Sequence, residues 1–245
     1  MIINYLSSFV YLTIFEKLFS FIINKNLNIN QETYSIKNSS EEFLSNSNSK
    51  YSMSLAKRIF DLFFCLFISP IVILLIFLTA LVYPIFGGFK IFFRHERIGL
   101  NGKKFNLYKI RTFRENSLGH LKIVDKDELE IIPVIGNFLR LSRIDELPQI
   151  LNILKGDMSW IGPRPEQSKY VKDIILQTPE YKFRHIVRPG ITGLAQVNNP
   201  NATFKDYKEK LKFDLEYISK SGLFFDLKIF YLSLIIILKN IFKSN

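Results

Sequence analysis

Charged side chains disappear from the chain for 28 consecutive positions, Leu62 to Phe89, and no other stretch approaches that length. An uncharged run of this size marks a membrane segment. Wholly helical, it would be roughly 42 Å long, against a hydrocarbon core of about 30 Å. Ser69-Pro70 interrupts the run. A proline there removes a helix hydrogen bond and bends the chain, and the serine hydroxyl can take the freed carbonyl. Both flanks are basic, with Lys57 and Arg58 before the run and Lys90, Arg94 and Arg97 after it. The positive-inside rule therefore gives a simple crossing no orientation. Two topologies stay open: a single tilted span, and a helix that enters, breaks near Ser69-Pro70 and returns to the same face, satisfying both ends.

The remaining apolar positions are shorter and patterned. The first 23 residues are interrupted by Glu16 and Lys17 and lack a basic start and a small-residue cleavage site, so they suit an interfacial helix or membrane stub better than a signal peptide. Residues 24–50 hold 13 Asn or Ser among 27 and read as a linker. Alternation in KKFNLYKIRTF, after an Asn101-Gly102 turn, predicts a strand with Lys109 and Arg111 on one face. Leu147, Ile150, Leu151 and Leu154 follow helical spacing, predicting a short helix from about Glu146 to Leu154 that stops at Gly156. Pro148 is acceptable only in its first turn, which places Asp145 at or next to the N-cap. Near the C-terminus only ten uncharged residues, Ile229 to Leu238, lie between Lys228 and Lys239. That is too short to span, so an amphipathic helix lying on the bilayer is expected.

Composition narrows the function. The chain has 245 residues, 48% hydrophobic, with 33 Lys+Arg against 22 Asp+Glu for a net charge of +11. That profile excludes a disordered chain. A lone cysteine, Cys65, forms no internal disulfide, and with three His it makes a structural zinc site implausible. The charge is concentrated: Arg94 to Arg114 carries seven basic residues and one acid. Such a patch suits anionic lipid or a phosphorylated ligand beside the membrane. No nucleic-acid-binding motif accompanies it, so nucleic acid is not an expected partner.

The candidate chemistry lies further on, at Asp145-Glu146. Asp145 reads as an ordinary helix cap or as something more. If it is the cap, Pro148 falls at the third helical position without an N–H to give it, which leaves the carboxylate freer to act on a ligand. A helix N-terminus also attracts phosphate. Arg140 and Arg143 lie just upstream, Arg164 sits between two prolines, and Arg188 opens a second rigid turn, RPGITG. Arginines of this kind take phosphate oxygens bidentately. A Walker A loop, a GxGxxG and an HExxH are absent from the sequence, so the nucleotide, dinucleotide and zinc-protease chemistries they carry have no support.

The order of KRIFD (57–61), the Ser-Pro break, FFRHERIGLNGKKFNLYKIRTF (92–113), SRIDELPQILNILKGDMSWIGPRPE (142–166) and VRPGITGLAQVN (187–198) resembles the bacterial sugar transferases, the monotopic phosphoglycosyl transferases that initiate capsule, exopolysaccharide and O-antigen assembly. The resemblance covers about residues 55 to 240. It implies an α/β membrane-associated fold: a re-entrant helix over 51–93 broken at Ser69-Pro70, a small mixed cytosolic catalytic domain over 94–222, and an interfacial helix over 223–245, with 1–50 outside it. Lys57, Arg58 and Asp61 match the entrance of the re-entrant helix. The implied reaction moves a sugar-1-phosphate from a UDP-sugar to polyprenyl phosphate on the cytoplasmic face of the bacterial inner membrane and releases UMP. Asp145 is the implied nucleophile, and Glu146 the second acid, holding Mg²⁺. Arg111, Arg140, Arg164 and Arg188 match basic positions near the phosphates. Ile110 and Phe113 depart from the usual phenylalanine and methionine, both apolar exchanges. The resemblance and the extensive membrane contact also allow a homodimer. A catalytically silent membrane scaffold is the alternative from another class, and the intact Asp145-Glu146 pair argues against it.

Overall fold

The computed structural model describes residues 49–113, 131–132 and 134–243. The N-terminal stub expected over the first 23 residues, nearly all of the linker expected at 24–50, and Arg114 lie outside the described residues. A short helix α1 (Ser49–Met53) leads to Ser54, whose side chain accepts from the Lys57 amide and caps the 33-residue helix α2 (Leu55–Gly87). Among the described residues, α2 is the one helix long and apolar enough to cross a membrane. It runs without interruption through Ser69-Pro70, so the expected break is not a gap in the helix. Ser69 Oγ donates to Leu66 O at 2.8 Å, the carbonyl that Pro70 leaves without an amide partner.

One narrow stripe of α2 faces the rest of the protein. Asp61, Cys65, Val72, Thr79 and Tyr83 are buried along it, at helical spacing, with Ile68 and Ile76 partly buried between them. The other faces expose large apolar side chains, Phe67, Ile73, Phe77 and Ile85 among them. A water-soluble helix does not leave so much apolar surface uncovered.

Next comes an antiparallel hairpin, β1 (Phe92–Ile98) and β2 (Lys104–Ile110), in register from Phe92 opposite Ile110 to Ile98 opposite Lys104. Its turn uses Asn101 at φ 54° and Gly102 at φ 75°, as the Asn-Gly pair led one to expect. Helix α3 (Ile135–Leu141) follows, then a 3-10 turn (Ile144–Gln149) continuing into α4 (Ile150–Lys155). Strand β3 (Ser159–Ile161) pairs in parallel with β4 (Gly190–Thr192), and between them lie α5 (Ser168–Gln177) and a 3-10 stretch (Pro179–Ile186). Helices α6 (Leu194–Asn198), α7 (Tyr207–Lys220) and α8 (Leu223–Lys243) complete the mixed α/β fold.

The segment around Asp145 corrects one expectation. Asp145 does not cap a helix: it lies inside the 3-10 turn, and Arg143, at φ 60°, holds the N-cap position. The ring of Pro148 crowds the carbonyl four residues back, so the turn tightens to three-residue spacing and Glu146 N bonds Arg143 O at 3.1 Å. Gly156, at φ 84°, ends α4 where the sequence placed the stop.

Buried charges pin α2 to this body. Arg58 donates to the carbonyls of Ile153 (2.7 Å) and Leu154 (3.1 Å), the last turn of α4. Asp61 accepts from Ser159 Oγ and Trp160 N, and its carbonyl accepts from the Trp160 indole. Lys57 lies 3.4 Å from Asp61 and 2.6 Å from Asp226 of α8, and the Tyr217 hydroxyl is 3.0 Å from Asp226. All three residues expected at the helix entrance are therefore buried and partnered. Helix α8 is two-faced as expected: Asp226 and Ile229 are buried while Phe224, Tyr231 and Phe242 are exposed.

Candidate active site

The left-handed turn at Arg143 swings the chain out of α3 and delivers Asp145 and Glu146 side by side into the interior, where both are buried. Glu146 is saturated with cations. Its Oε1 meets Arg164 Nη2 at 2.5 Å, Lys109 Nζ at 2.8 Å and Arg143 Nη1 at 3.3 Å, and its Oε2 meets Arg164 Nη1 at 3.2 Å. Asp145 is nearly bare. Its Oδ2 lies 3.8 Å from Lys109 Nζ, and its Oδ1 is buried with no hydrogen-bond partner among the described residues.

The neighbouring acids are thereby driven apart. Burial raises the Asp145 carboxyl above its ordinary value, with Lys109 opposing and the Glu146 charge reinforcing the rise. For Glu146 burial also acts upward, but Arg164 and Lys109 outweigh it and hold the carboxyl well below the usual range. His95, on β1, is pushed down to about 3 by burial and by Arg97, Lys109 and Arg164, so it is a neutral ring among cations.

Two devices bring Lys109 and Arg164 to this turn. Lys109 rides on β2, and Asn152 of α4 staples that strand down: its Nδ2 donates to Asn106 O at 2.7 Å and its Oδ1 accepts from Tyr108 N at 3.1 Å. Arg164 follows β3, whose end touches the RPGITG turn backbone to backbone. A Cβ on Gly162 would lie 2.4 Å from Arg188 O, and one on Gly190 would lie 2.2 Å from Gly162 N, so only glycine permits the approach.

Three more arginines were singled out in the sequence. Arg188 donates through Nε to Gly156 O at 3.2 Å, at the far end of α4, where Arg58 also acts on that helix. Arg140 is exposed with its guanidinium 4.8 Å over the Phe113 ring. Arg111 lies just past β2, close enough to the Tyr83 hydroxyl to act on it electrostatically. Lys109 and Arg143 are the cations at the pair that the resemblance did not assign to the site. Alternation put Lys109 on a strand face with Arg111, and in the structure its Nζ reaches Glu146.

A family model described as bacterial sugar transferase matches residues 52–240. The chain belongs to the bacterial sugar transferase family. Among its relatives, an uncharacterized sugar transferase of Bacillus subtilis, EpsL, is 40% identical over 179 residues, covering 72% of this chain and 84% of the relative. A UDP-N-acetylgalactosamine-undecaprenyl-phosphate N-acetylgalactosaminephosphotransferase of Aeromonas hydrophila is 37% identical over 176 residues, 71% of this chain and 42% of the relative. A UDP-glucose:undecaprenyl-phosphate glucose-1-phosphate transferase of Escherichia coli is 35% identical over 173 residues, 69% of this chain and 36% of the relative. The chain thus spans most of the Bacillus protein and less than half of the other two.

For a bacterial sugar transferase this pair of acids has a clear chemical reading. Glu146 is a fixed, neutralised anchor, and Asp145 offers an unpartnered carboxylate oxygen beside three cations. That orphaned buried oxygen fits a cationic partner brought by an anionic ligand. Among the described residues no cluster of three or more acids, His or Cys forms a metal cage. A Mg²⁺ ion that takes one or two carboxylates and completes its shell with substrate phosphates and water suits such a site.

Proposed function

We propose that this protein is a phosphoglycosyl transferase that moves a sugar-1-phosphate from a UDP-sugar to polyprenyl phosphate through a covalent aspartyl phospho-sugar. An Asp145 oxygen attacks the phosphorus that bears the sugar, the bond to the bridging oxygen breaks, and UMP leaves with that oxygen. An oxygen of the polyprenyl phosphate then attacks the same phosphorus and returns Asp145 as a carboxylate. The observation that carries this reading is the division between the two acids: an anchored Glu146 and an Asp145 whose Oδ1 has no protein partner among the described residues. A carboxylate already tied to arginine is a poor nucleophile; one held bare by its fold is ready to attack.

Lys109, Arg143 and Arg164 supply the charge that lets an anionic donor approach a carboxylate. Family resemblance assigns Mg²⁺ to Glu146, whose oxygens are here taken by Arg164, Lys109 and Arg143, so a Mg²⁺ held there with donor phosphate oxygens would displace one of these cations and supply charge neutralisation in its place. Arg111, Arg140 and Arg188 are assigned to the phosphates of donor or acceptor by family resemblance. The names of the Aeromonas and Escherichia relatives support a UDP-sugar donor and an undecaprenyl-phosphate acceptor.

The same reading places the chain on the cytoplasmic face of the membrane with α2 as a re-entrant helix. Both halves of α2 meet one body: Asp61 bonds Ser159 and Trp160, while Tyr83 packs with Ile110 and Leu139. Contacts at both ends support a helix that dips into the bilayer and returns over one that leaves for the far side. Removing residues 1–49 is expected to preserve turnover and membrane association.

The test is incubation of the membrane-embedded protein with Mg²⁺ and a panel of UDP-sugars in the absence of lipid acceptor, read by intact mass and UMP release. A phospho-sugar adduct that vanishes in Asp145→Asn supports the mechanism. Release of UDP in place of UMP would mean that the reaction is a plain glycosyl transfer.

A further inference from the structure

Arg164 meets Glu146 from a turn that is itself gripped. The two successive carbonyl oxygens of that turn are each taken by another arginine: Arg184 Nη2 donates to Arg164 O at 2.8 Å, and Arg97 Nη1 donates to Pro165 O at 3.0 Å. Neither arginine is idle elsewhere. Arg184, only 3% exposed, spends its Nε on Asp214 Oδ2 (2.8 Å) and its Nη1 on the Tyr181 hydroxyl (2.7 Å). Arg97 directs its Nε to His95 Nε2 at 3.2 Å and pairs with Glu166, which Lys210 also holds. The β1 amide of Ile98 completes the grip by donating to Glu166 O at 3.0 Å.

We propose that Arg184 and Arg97 are positioning residues for Arg164: by fixing the carbonyls of residues 164 and 165 they set the direction from which the Arg164 guanidinium meets Glu146. Three observations carry this. The acceptors around Arg184 lie in three directions that a planar fork reaches together and an ammonium does not. A buried ion pair adds little net stability over an apolar filling, so Arg184 and Asp214 are not explained by stability alone. And the two grips converge on adjacent peptide groups, those of Arg164 and Pro165, from two separate elements, β1 and the 3-10 stretch at 179–186. Placement of such a charge matters, because displacement by about 1 Å costs a reaction on the order of 100-fold.

The inference rests on the proposed transfer only in its kinetic arm, so two measurements separate them. Phenylglyoxal labelling of Arg164, followed by peptide mass spectrometry on the full-length membrane-embedded protein, reads how firmly that side chain is held. In Arg184→Lys, Arg164 is expected to label on the order of two-fold faster or more, as a locally loosened turn does. In the kinetic arm, Arg184→Lys lowers kcat for UMP release about 10-fold or more with a smaller change in donor KM. Made in an Arg164→Gln background, the same substitution changes the remaining rate by less than about two-fold, because Arg184 acts through Arg164. Unchanged labelling, or effects that simply multiply, would overturn the proposal. If Arg184→Lys does not fold, Arg97→Lys is run through the same cycle from the other carbonyl. Faster labelling in a protein whose parent releases no UMP with any donor would sink the transfer reading and leave the positioning role standing.

Discussion

At the scale of single residues the protein turns on two adjacent acids with opposite environments. Burial raises the Asp145 carboxyl, and Lys109 is the cation that most opposes that rise. The rate of adduct formation should therefore fall as pH drops through a value above the ordinary 3.8 of a free aspartate. Lys109→Met should move that acid limb to higher pH, and a pH–rate profile in which it stays put would contradict the assignment. For stability the two acids have opposite signs. Glu146 contributes fully above its ordinary 4.5, and the contribution is lost as pH falls through its depressed value. Charged Asp145 instead costs stability as pH rises through its raised value. Asp145→Asn should then melt above the parent at about pH 8, with the gap closing toward about pH 4, in thermal unfolding scans. Asp145, Glu146 and Arg164 were singled out in the sequence as an acidic pair and an arginine held between prolines, and the family resemblance supplied their expected roles. The contacts of Lys109 and Arg184 were not legible there: the first reaches its partner across 37 positions and the second across 20, and nothing local announces either.

At the scale of elements, the sequence located the hairpin, the stop at Gly156 and the long apolar helix, since turn chemistry and hydrophobic runs are local properties. It misjudged the start of the segment that carries Asp145, because the competition between Pro148 and a regular first turn is settled by geometry that periodicity does not encode. The staple between elements carries a prediction of its own. Asn152→Ala would orphan the Asn106 carbonyl and the Tyr108 amide at about 1–3 kcal/mol each, freeing β2 and with it Lys109. Both the denaturation midpoint and the rate of UMP release should fall in this variant. A fall in stability alone would mean that β2 holds Lys109 without Asn152.

At the scale of the whole molecule, the buried charges at the head of α2 decide how membrane helix and catalytic body stay together. Lys57→Met removes the partner of two buried carboxylates, Asp61 and Asp226. The expected cost is about 3–5 kcal/mol, read as a lower unfolding midpoint in detergent or nanodiscs, because an uncompensated buried charge is worse than none. The membrane association itself was readable from the uncharged run, whereas the packing of its single buried stripe was not: Cys65, Val72 and Tyr83 look no different in sequence from their exposed neighbours.

That stripe also bears on the order in which the protein is made. Helix α2 leaves the ribosome ahead of nearly everything that covers it, since Arg58 finds its carbonyl at Ile153 95 residues downstream and Asp61 its serine 98 residues downstream. Lys57 waits longer still, for Asp226 near the start of the last helix. In the proposed topology the nascent helix would reach lipid while its three charged residues stay hydrated at the membrane surface, and the body would close onto it afterwards. A chain stopped short of Asp226 would be inserted but never sealed.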